Sequence, residues 1–309
     1  MIFRHPWGDL ADPAWAVGAD VTVLGVPYDG GVGFRAGAAQ APARLRAISN
    51  SSALISEEGY VVDKARFRIK DAGDVPPPLD GEGRQDGSEP ARVAYFERVQ
   101  AAAAAEMASA FLLTIGGDHS VHIPLARAFA ATHPQGYGTV LLDAHPDLFD
   151  VYEGSKTSHA CPLRRALETG ALRPEHLLIL GTRSYNPVEI DFMKSASIRF
   201  VPARELQRMG MDAAVKLAKQ QLAGVRVAYL TLDIDVCDPS CAPGTGYPVA
   251  GGLNSRQILD LTRGLVEALP VRAMDIVEVA PPLDPTGATE WLALQLVFET
   301  VAALARKKG

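Results

Sequence analysis

One short stretch of the sequence, residues 141–150 (LLDAHPDLFD), places two carboxylates and an imidazole directly after an apolar run. If the backbone stays extended, Asp143, His145 and Asp147 share one face of the strand at a spacing of about 6–7 Å. Carboxylates in a desolvated row repel one another and resist burial unless positive charge compensates them. The pattern therefore predicts a cation site, and a metal ion is the simplest occupant.

Two other apolar runs, residues 112–120 (LLTIGGDHS) and 229–239 (YLTLDIDVCDP), also end in acidic residues or histidine. The side chains concerned are Asp118, His119, Asp233, Asp235 and Asp238. Because ligands of parallel α/β sheets bind beyond the carboxyl ends of the strands, we expect the three strand ends to meet. Four or five carboxylates would then lie beside two imidazoles, an arrangement that is costly without cations.

The ligand types favour manganese as the cation. Carboxylates with a minority of imidazoles and no thiolate suit Mn²⁺ better than zinc. Two divalent ions about 3.5–4 Å apart can share a water and lower its pKa, so that hydroxide becomes available near neutral pH. Asp118 has a simpler alternative role, since it could cap a helix that begins near Ser120. Capping does not explain DAHPD and DIDVCDP in the same chain.

Composition excludes several classes of function. A formal net charge of −6 over 309 residues argues against a general nucleic-acid binder. No apolar run is expected to be long enough to span a bilayer, and the N-terminus lacks the layout of a signal peptide. Three cysteines are few and odd in number, which suits a reducing compartment. We therefore expect a cytoplasmic protein that binds neither nucleic acid nor membrane.

Stretches typical of strands alternate with stretches typical of helices along the chain. The predicted strands are 21–27, 110–117, 138–145, 176–183, 226–236 and 271–280. The predicted helices are 90–108, 211–224, 254–269 and 289–308. Because the strand stretches are continuously apolar, both faces should be covered, as in a parallel sheet between two helical layers. We expect one domain over residues 1–309, with residues 74–90 as a surface loop.

The glycines of residues 31–36 (GVGFRA) match part of a dinucleotide-binding fingerprint. Residues 27–30 separate these glycines from the preceding strand, so they do not form the tight strand-to-helix turn that cradles a pyrophosphate. We therefore interpret this segment as a glycine-rich loop at an active site or at the surface.

Three motifs closely resemble the metal-binding signatures of the ureohydrolases, the arginase and agmatinase family. They are GGDHS (116–120), DAHPD (143–147) and DIDVCDP (233–239). Residues 25–46, 242–253 and 275–287 resemble further signatures of the family, in the same order. The resemblance, to an agmatinase-like member, implies a three-layer α/β arginase-like fold around an eight-stranded, mostly parallel sheet. It also implies assembly into a homotrimer or homohexamer.

The same resemblance implies two manganese ions, with nickel or cobalt as alternatives. The ligands of one ion would be His119, Asp143, Asp147 and Asp233. The ligands of the other would be His145, Asp143, Asp233 and Asp235. A bridging hydroxide, oriented by Asp147, would attack the guanidinium carbon of the substrate and release urea and an amine.

Two further residues take roles from the resemblance. Glu278, in VEVAP, would hold the guanidinium by a charge-assisted hydrogen bond. His159, in SHACP, would shuttle a proton near neutral pH. The chain is thus expected to be a metal-dependent amidinohydrolase that cleaves a carbon–nitrogen bond of a linear amidine.

The loop over residues 147–159 should contact the tail of the guanidino substrate. Asp150 and Glu153 could attract a tail ammonium, whereas Lys156 would favour an acidic tail. Three hydroxyls could also bind a carboxylate through water: Ser155, Thr157 and Ser158. We expect agmatine, hydrolysed to putrescine, ahead of arginine, guanidinobutyrate and guanidinopropionate, with free guanidine last.

Two other classes of function are consistent with the sequence alone. The chain could hydrolyse a different amide, because metal-dependent deacetylases share a related fold. It could also be an inactive member of the family that acts as a binding scaffold, which the loss of a metal ligand would indicate. All six proposed ligands and Glu278 are present in the sequence, and this favours an active hydrolase of guanidino compounds.

Overall fold

The computed structural model describes residues 5–11 and 18–308. Within them, eight strands form one sheet in the order β2–β1–β3–β8–β7–β4–β5–β6, and every pair of neighbours is parallel. The strands are β1 (Val21–Gly25), β2 (Ile69–Asp74), β3 (Phe111–Ile115), β4 (Tyr137–Leu142), β5 (Leu172–Thr182), β6 (Arg199–Pro202), β7 (Ala228–Asp233) and β8 (Val271–Val277). The prediction of an eight-stranded, mostly parallel sheet is confirmed.

Helices cover both faces of this sheet and complete three layers. They are α1 (Pro6–Asp9), α2 (Ala41–Ile48), α3 (Glu89–Met107), α4 (His122–Thr132), α5 (Pro162–Leu167), α6 (Pro187–Ser195), α7 (Ala203–Met209), α8 (Met211–Gln221), α9 (Ser255–Ala268) and α10 (Ala288–Lys308). Alternate residues of a strand enter opposite layers. Leu113 packs in the core with α8, α9 and α10, whereas Leu112 packs in the core with α3 and α4.

The two strands that the sequence pattern did not predict lie at the two edges of the sheet. β2 reads IKDAGD and is mostly half-buried, and β6 has four residues and ends at Pro202. Edge strands need only one paired side and one partly covered face, so their sequences lack the continuous apolar run of a central strand. The predicted loop before α3 is confirmed, since β2 ends at Asp74 and α3 begins at Glu89.

Helix α10 corrects one expectation about apolar segments. By length and composition it could cross a membrane, so the expectation that no segment reaches this length is wrong. However, 78% of its apolar window is buried inside the fold, as in the core helix of a globular domain. Trp291 is its large exposed apolar side chain, at 48% exposure. A homo-oligomeric assembly and a cytoplasmic location stay predictions.

Candidate metal centre

Four adjacent central strands deliver the polar residues to one edge of the sheet. In the order β3–β8–β7–β4, the segments beyond their carboxyl ends carry His119, Glu278, the pair Asp233 and Asp235, and the DAHPD motif. Because all four strands are parallel, their carboxyl ends meet on the same side. The sheet order therefore brings together residues that lie as much as 159 positions apart in sequence.

One group of ligands converges on Nδ1 of His119. This nitrogen lies 2.8 Å from Oδ2 of Asp147, 3.1 Å from Oδ2 of Asp143 and 3.5 Å from Oδ2 of Asp233. All four side chains are buried. Three carboxylate oxygens around one imidazole nitrogen form a set of donors that suits a divalent ion.

A second group converges on Nδ1 of His145. This nitrogen lies 3.0 Å from Oδ2 of Asp235 and 3.5 Å from Oδ1 of Asp143. Asp143 therefore faces His145 with one oxygen and His119 with the other. His119, Asp143 and Asp233 form one cluster with the spacing of a metal site, and Asp143, His145 and Asp235 form another. The structure thus brings all six predicted ligands together.

The chain reaches this arrangement through turns rather than an extended strand. β4 ends at Leu142, and the backbone N–H of His145 then donates to Oδ1 of Asp143 at 2.6 Å. Asp147 adopts a left-handed conformation, with φ of 54°. The expectation that Asp143, His145 and Asp147 share one face of a strand is therefore wrong beyond Leu142. The turns bring the carboxylates closer together than an extended chain would.

The GGDHS motif packs its second glycine closely against the backbone of Tyr28. A Cβ atom on Gly117 would lie 1.7 Å from the carbonyl oxygen of Tyr28, so only glycine fits there. The next residue, Asp118, accepts from the backbone N–H of Ser120 at 2.9 Å and caps the turn that carries His119. The capping role predicted for Asp118 is confirmed, and this leaves His119 as the ligand of that motif.

The protonation of these groups shows how strongly the cluster attracts positive charge. Burial alone would lower the pKa of His119, but its three carboxylate neighbours raise it well above its ordinary value. Burial likewise opposes the charge of His145, yet Asp235 and Asp143 raise its pKa to about 12. Burial and the neighbouring carboxylates raise the pKa of Asp233 well above its usual range. Protons therefore serve as the counterions of the cluster when metal is absent.

The hydrogen bonds behind His119 fix its tautomer in the form that a metal needs. Thr231 donates its hydroxyl to Oδ1 of Asp275 at 2.6 Å, so it accepts from Nε2 of His119 at 3.0 Å. Nδ1 is then the lone-pair nitrogen of the neutral ring. His122 donates from Nδ1 to Oδ2 of Asp275 at 2.7 Å and completes the chain.

Two buried polar atoms at the centre fit the binding of a cation. In the neutral ring, Nδ1 of His119 has no hydrogen to donate to Oδ2 of Asp143, 3.1 Å away, and both atoms are then without a hydrogen-bond partner among the described residues. Buried polar atoms are rarely unsatisfied without a reason, and a role as metal ligands is one such reason. The tautomer of His119, the shared Asp143 and these two atoms all fit a pair of divalent ions.

Glu278 closes the centre from the end of β8. Its Oε1 accepts from the backbone N–H of His119 at 2.8 Å, and its φ is 61°. Burial, followed by the charge of Asp118, raises the pKa of Glu278 well above its usual range. A cationic group of a substrate would be a favourable partner for such a buried carboxyl group. The structure gives Glu278 no such partner among the described residues.

A pocket of about 230 Å³ opens above the ligands, and several aromatic and imidazole rings line it. His159 stacks on Tyr247 with ring centroids 5.5 Å apart, and Tyr152 meets His159 edge-on at 5.5 Å. Nδ1 of His159 lies 2.6 Å from the carbonyl oxygen of Gly31. Since a carbonyl only accepts, Nδ1 carries a proton, and Nε2 is the ring nitrogen left for the pocket.

The structure does not bring Asp150 into the pocket. Its carboxylate binds Nη2 of Arg165 at 2.7 Å and lies 3.6 Å from Nζ of Lys156. The Ser155 and Thr157 hydroxyls are also occupied, because both donate to Glu89 of α3. Those hydroxyls are therefore not free to bind a substrate carboxylate, contrary to the expectation.

Glu153 stays near the rim of the site. A Cβ atom on Gly33 would lie 3.0 Å from Oε2 of Glu153 and 3.0 Å from the Tyr247 hydroxyl, so these two groups face the same space. The glycine-rich loop predicted from residues 31–36 thus lies at the site and forms part of its edge.

Several lining residues were not predicted as functional. They are Tyr247, Ser184, Tyr185, Asn186 and Glu189. Asn186 and Glu189 form a capping box at the start of α6, directly after the carboxyl end of β5. Asn-Pro-x-Glu beyond a strand is a signal of a helix start, and it would have placed this segment at the ligand side of the sheet.

We expect uptake of Mn²⁺ by the metal-free protein at pH 7 to release about two to three protons per chain, since both imidazoles and the Asp233 carboxyl group, whose pKa values are all raised, must lose a proton before they bind metal. Their raised pKa values mean that metal affinity should increase as the pH rises. Calorimetric titration in two buffers with different ionisation enthalpies measures the number of protons released. Uptake without any proton release would contradict this description of the metal-free cluster.

We expect Asp275→Asn to weaken the binding of the ion on the His119 side by about 10–100-fold, the usual cost of losing an outer partner of a ligand. Asn keeps the shape but loses the charge and one of the two acceptors that serve Thr231 and His122. Asp71→Asn, at the sheet edge, is a matched control that should leave metal affinity unchanged. Equal affinities for Asp275→Asn and the unsubstituted protein would show that the chain behind His119 has no role in metal binding.

The arginase family model matches residues 19–303 of this chain. A guanidinopropionase of Pseudomonas aeruginosa is 35% identical over 303 residues, which cover 96% of this chain and 89% of that protein. An agmatinase of Escherichia coli is 33% identical over 297 residues, covering 94% and 89%. The solved structure of proclavaminate amidino hydrolase from Streptomyces clavuligerus has a TM-score of 0.85 at 31% identity and covers 99% of this chain and 97% of that one. Together with the cluster of ligands, these similarities show that the chain belongs to the arginase family and is a metal-dependent ureohydrolase of guanidino compounds.

Proposed function

We propose that the protein binds two manganese ions and hydrolyses agmatine to putrescine and urea. The observation that carries the proposal is the paired geometry of the centre, in which Asp143 faces both His119 and His145 beneath a pocket closed by Glu278. The oxygen-rich ligand set with two imidazoles and no thiolate supports manganese, with nickel or cobalt as alternatives.

Some residues of the site bind the substrate, and others orient the nucleophile or transfer a proton. Two bound ions would lower the pKa of a shared water and so supply a nucleophile near neutral pH. Glu278 holds the guanidinium by a charge-assisted hydrogen bond, which fixes the position of its central carbon. Oδ2 of Asp147 lies 2.8 Å from Nδ1 of His119, so Asp147 is placed to orient the nucleophile from the His119 side.

His159 supplies the proton that the leaving amine needs. Its Nδ1 is already committed to the carbonyl of Gly31, so a second proton on Nε2 makes the ring cationic and able to donate to the pocket. Stacking on Tyr247 holds the ring in that orientation. Water adds to the guanidinium carbon, and the bond from that carbon to the protonated tail nitrogen breaks. The products are urea and an amine.

The tail of agmatine is a primary ammonium, and the rim of the pocket suits a cation. Among the described residues that line the pocket, none is lysine or arginine. Glu153 has no ion-pair partner in the described part of the chain, and it faces the space next to Tyr247. The faces of Tyr152 and Tyr247 offer further attraction for an ammonium group. Of the two acids first considered for the tail, Glu153 is therefore the one that supports agmatine.

An ω-guanidino acid is the second candidate, and it has its own support. Asp150 is neutralised by Arg165 and Lys156, so of the two acids first considered for the tail only Glu153 would repel an acidic tail. Ser184 and Asn186 line the pocket, and their side chains can donate hydrogen bonds to a carboxylate. The similarity to a guanidinopropionase over most of the chain agrees with such a substrate.

Urea release over a panel of guanidino compounds tests the proposal. The panel comprises agmatine, guanidinobutyrate, guanidinopropionate, arginine and guanidine, each assayed with Mn²⁺ and with Ni²⁺ on protein first freed of metal. We expect agmatine with Mn²⁺ to give the highest kcat/KM and chelated protein to be inactive. A guanidino acid that exceeds agmatine would support the second candidate, and urea release from none of the five would contradict the proposal as a whole.

We expect Glu153→Gln to lower the ratio of kcat/KM for agmatine to that for guanidinobutyrate by about 2–5-fold, the range for one partly exposed charge pair. Asp150→Asn is the matched control, because its carboxylate is bound to Arg165 outside the pocket, and the ratio should not change. The effect of Glu153→Gln should also shrink at high salt. A ratio that Glu153→Gln leaves unchanged would show that this side chain does not distinguish the charge of the tail.

A further inference from the structure

The residue after β5, Arg183, contacts both loops that carry the His145 half of the centre. Its Nη2 donates to the carbonyl oxygens of Asp235 at 2.7 Å and Cys237 at 3.1 Å, and Nη1 donates to that of Val236 at 3.2 Å. The same guanidinium also reaches the carbonyl of Val249 at 2.7 Å. One side chain thus gathers consecutive carbonyls of the loop that begins after β7.

The backbone of Arg183 holds the other loop. The N–H groups of Arg183 and Ser184 both donate to the carbonyl of Ala144, at 2.9 and 3.0 Å. Ala144 lies between two proposed ligands, Asp143 and His145. The loops also bind each other, because the N–H of Ala144 donates to Oδ1 of Asp235 at 3.0 Å.

The atoms around the Arg183 guanidinium are tightly packed. A Cβ atom on Gly252 would lie 2.6 Å from Nη2 of Arg183 and 2.5 Å from the carbonyl carbon of Cys237. Glycine at this position lets the loop after β7 close over the guanidinium. Within the described residues Arg183 makes no ion pair with a carboxylate, so its donors are used for backbone carbonyls.

We propose that Arg183 is a positioning residue that sets the geometry of the ion bound by His145 and Asp235. The proposal rests on the two-ion centre of the proposed function. The His119 half has separate support from Thr231, Asp275 and Glu278, and among the described residues Arg183 makes no hydrogen bond to any of these side chains. Loss of Arg183 therefore releases one half of the centre and spares the other.

Arg183→Lys tests this role with the least change in charge. Lysine has three donors on a single nitrogen and cannot replace a planar fork that reaches carbonyls in separate segments. Arg46→Lys is the matched control, since Arg46 also makes several hydrogen bonds but does so with Asp71 and Asp74 at the sheet edge. Gly252→Ala disturbs the same contact from the other side and carries the test if Arg183→Lys does not fold.

The measurement is Mn²⁺ binding by each variant, with metal content and the paramagnetic resonance spectrum recorded at each step. Unsubstituted protein and Arg46→Lys should bind two ions that give a spin-coupled spectrum. Arg183→Lys and Gly252→Ala should bind the second ion about 10–100-fold more weakly and show the spectrum of an isolated ion over that range.

Three results would overturn the proposal, and they have different meanings. Two ions bound by Arg183→Lys with unchanged affinities would show that Arg183 does not position the centre. Parallel weakening of both ions would show that it supports the whole fold rather than one half. Fewer than two ions in the unsubstituted protein would remove the two-ion centre itself, and with it the proposed function.

Discussion

Mutual repulsion among buried carboxylates is the constraint on which this structure depends. Asp143, Asp147, Asp233 and Asp235 are all buried, and three of them lie within 3.5 Å of the same imidazole nitrogen. In a medium of low dielectric constant such charges cannot stay close without cations or protons between them. The raised pKa values of both imidazoles show protons in that role, and divalent ions fill the same role with stronger charge.

The topology of the sheet supplies the ligands in an order that keeps the two halves of the centre distinct. β3 and β4 are not neighbours, so His119 and His145 approach from opposite sides of the strands β8 and β7 between them. Asp143 lies where these approaches meet, with one carboxylate oxygen toward each histidine. Behind each half lies its own set of hydrogen bonds, from Asp275 through Thr231 on one side and from Arg183 on the other. The pocket and its aromatic walls then lie above a centre whose two halves share Asp143 and have separate supporting hydrogen bonds.

Residue types and spacing predicted that polar side chains at the ends of three strands meet, because each motif follows a central strand with a continuous apolar run. The set of six metal ligands came from the family resemblance, and it stays a prediction. Residue types and spacing were not enough to predict how the ligands converge, since the turn at Asp147 departs from an extended chain. Asp150 illustrates a second limit. Its partner Arg165 is 15 residues away, in a helix whose packing no local pattern reveals. Arg183 was missed for the same reason, because its acceptors are backbone carbonyls, which leave no signature in a sequence.

X-ray diffraction at the manganese absorption edge, on crystals of the metal-loaded protein, tests the two-ion centre most directly. We predict two anomalous peaks about 3.5–4 Å apart, one next to Nδ1 of His119 and one next to Nδ1 of His145, with Asp143 bound to both. A single peak, or peaks away from these imidazoles at full metal loading, would contradict the two-ion centre and the hydrolytic chemistry that depends on it.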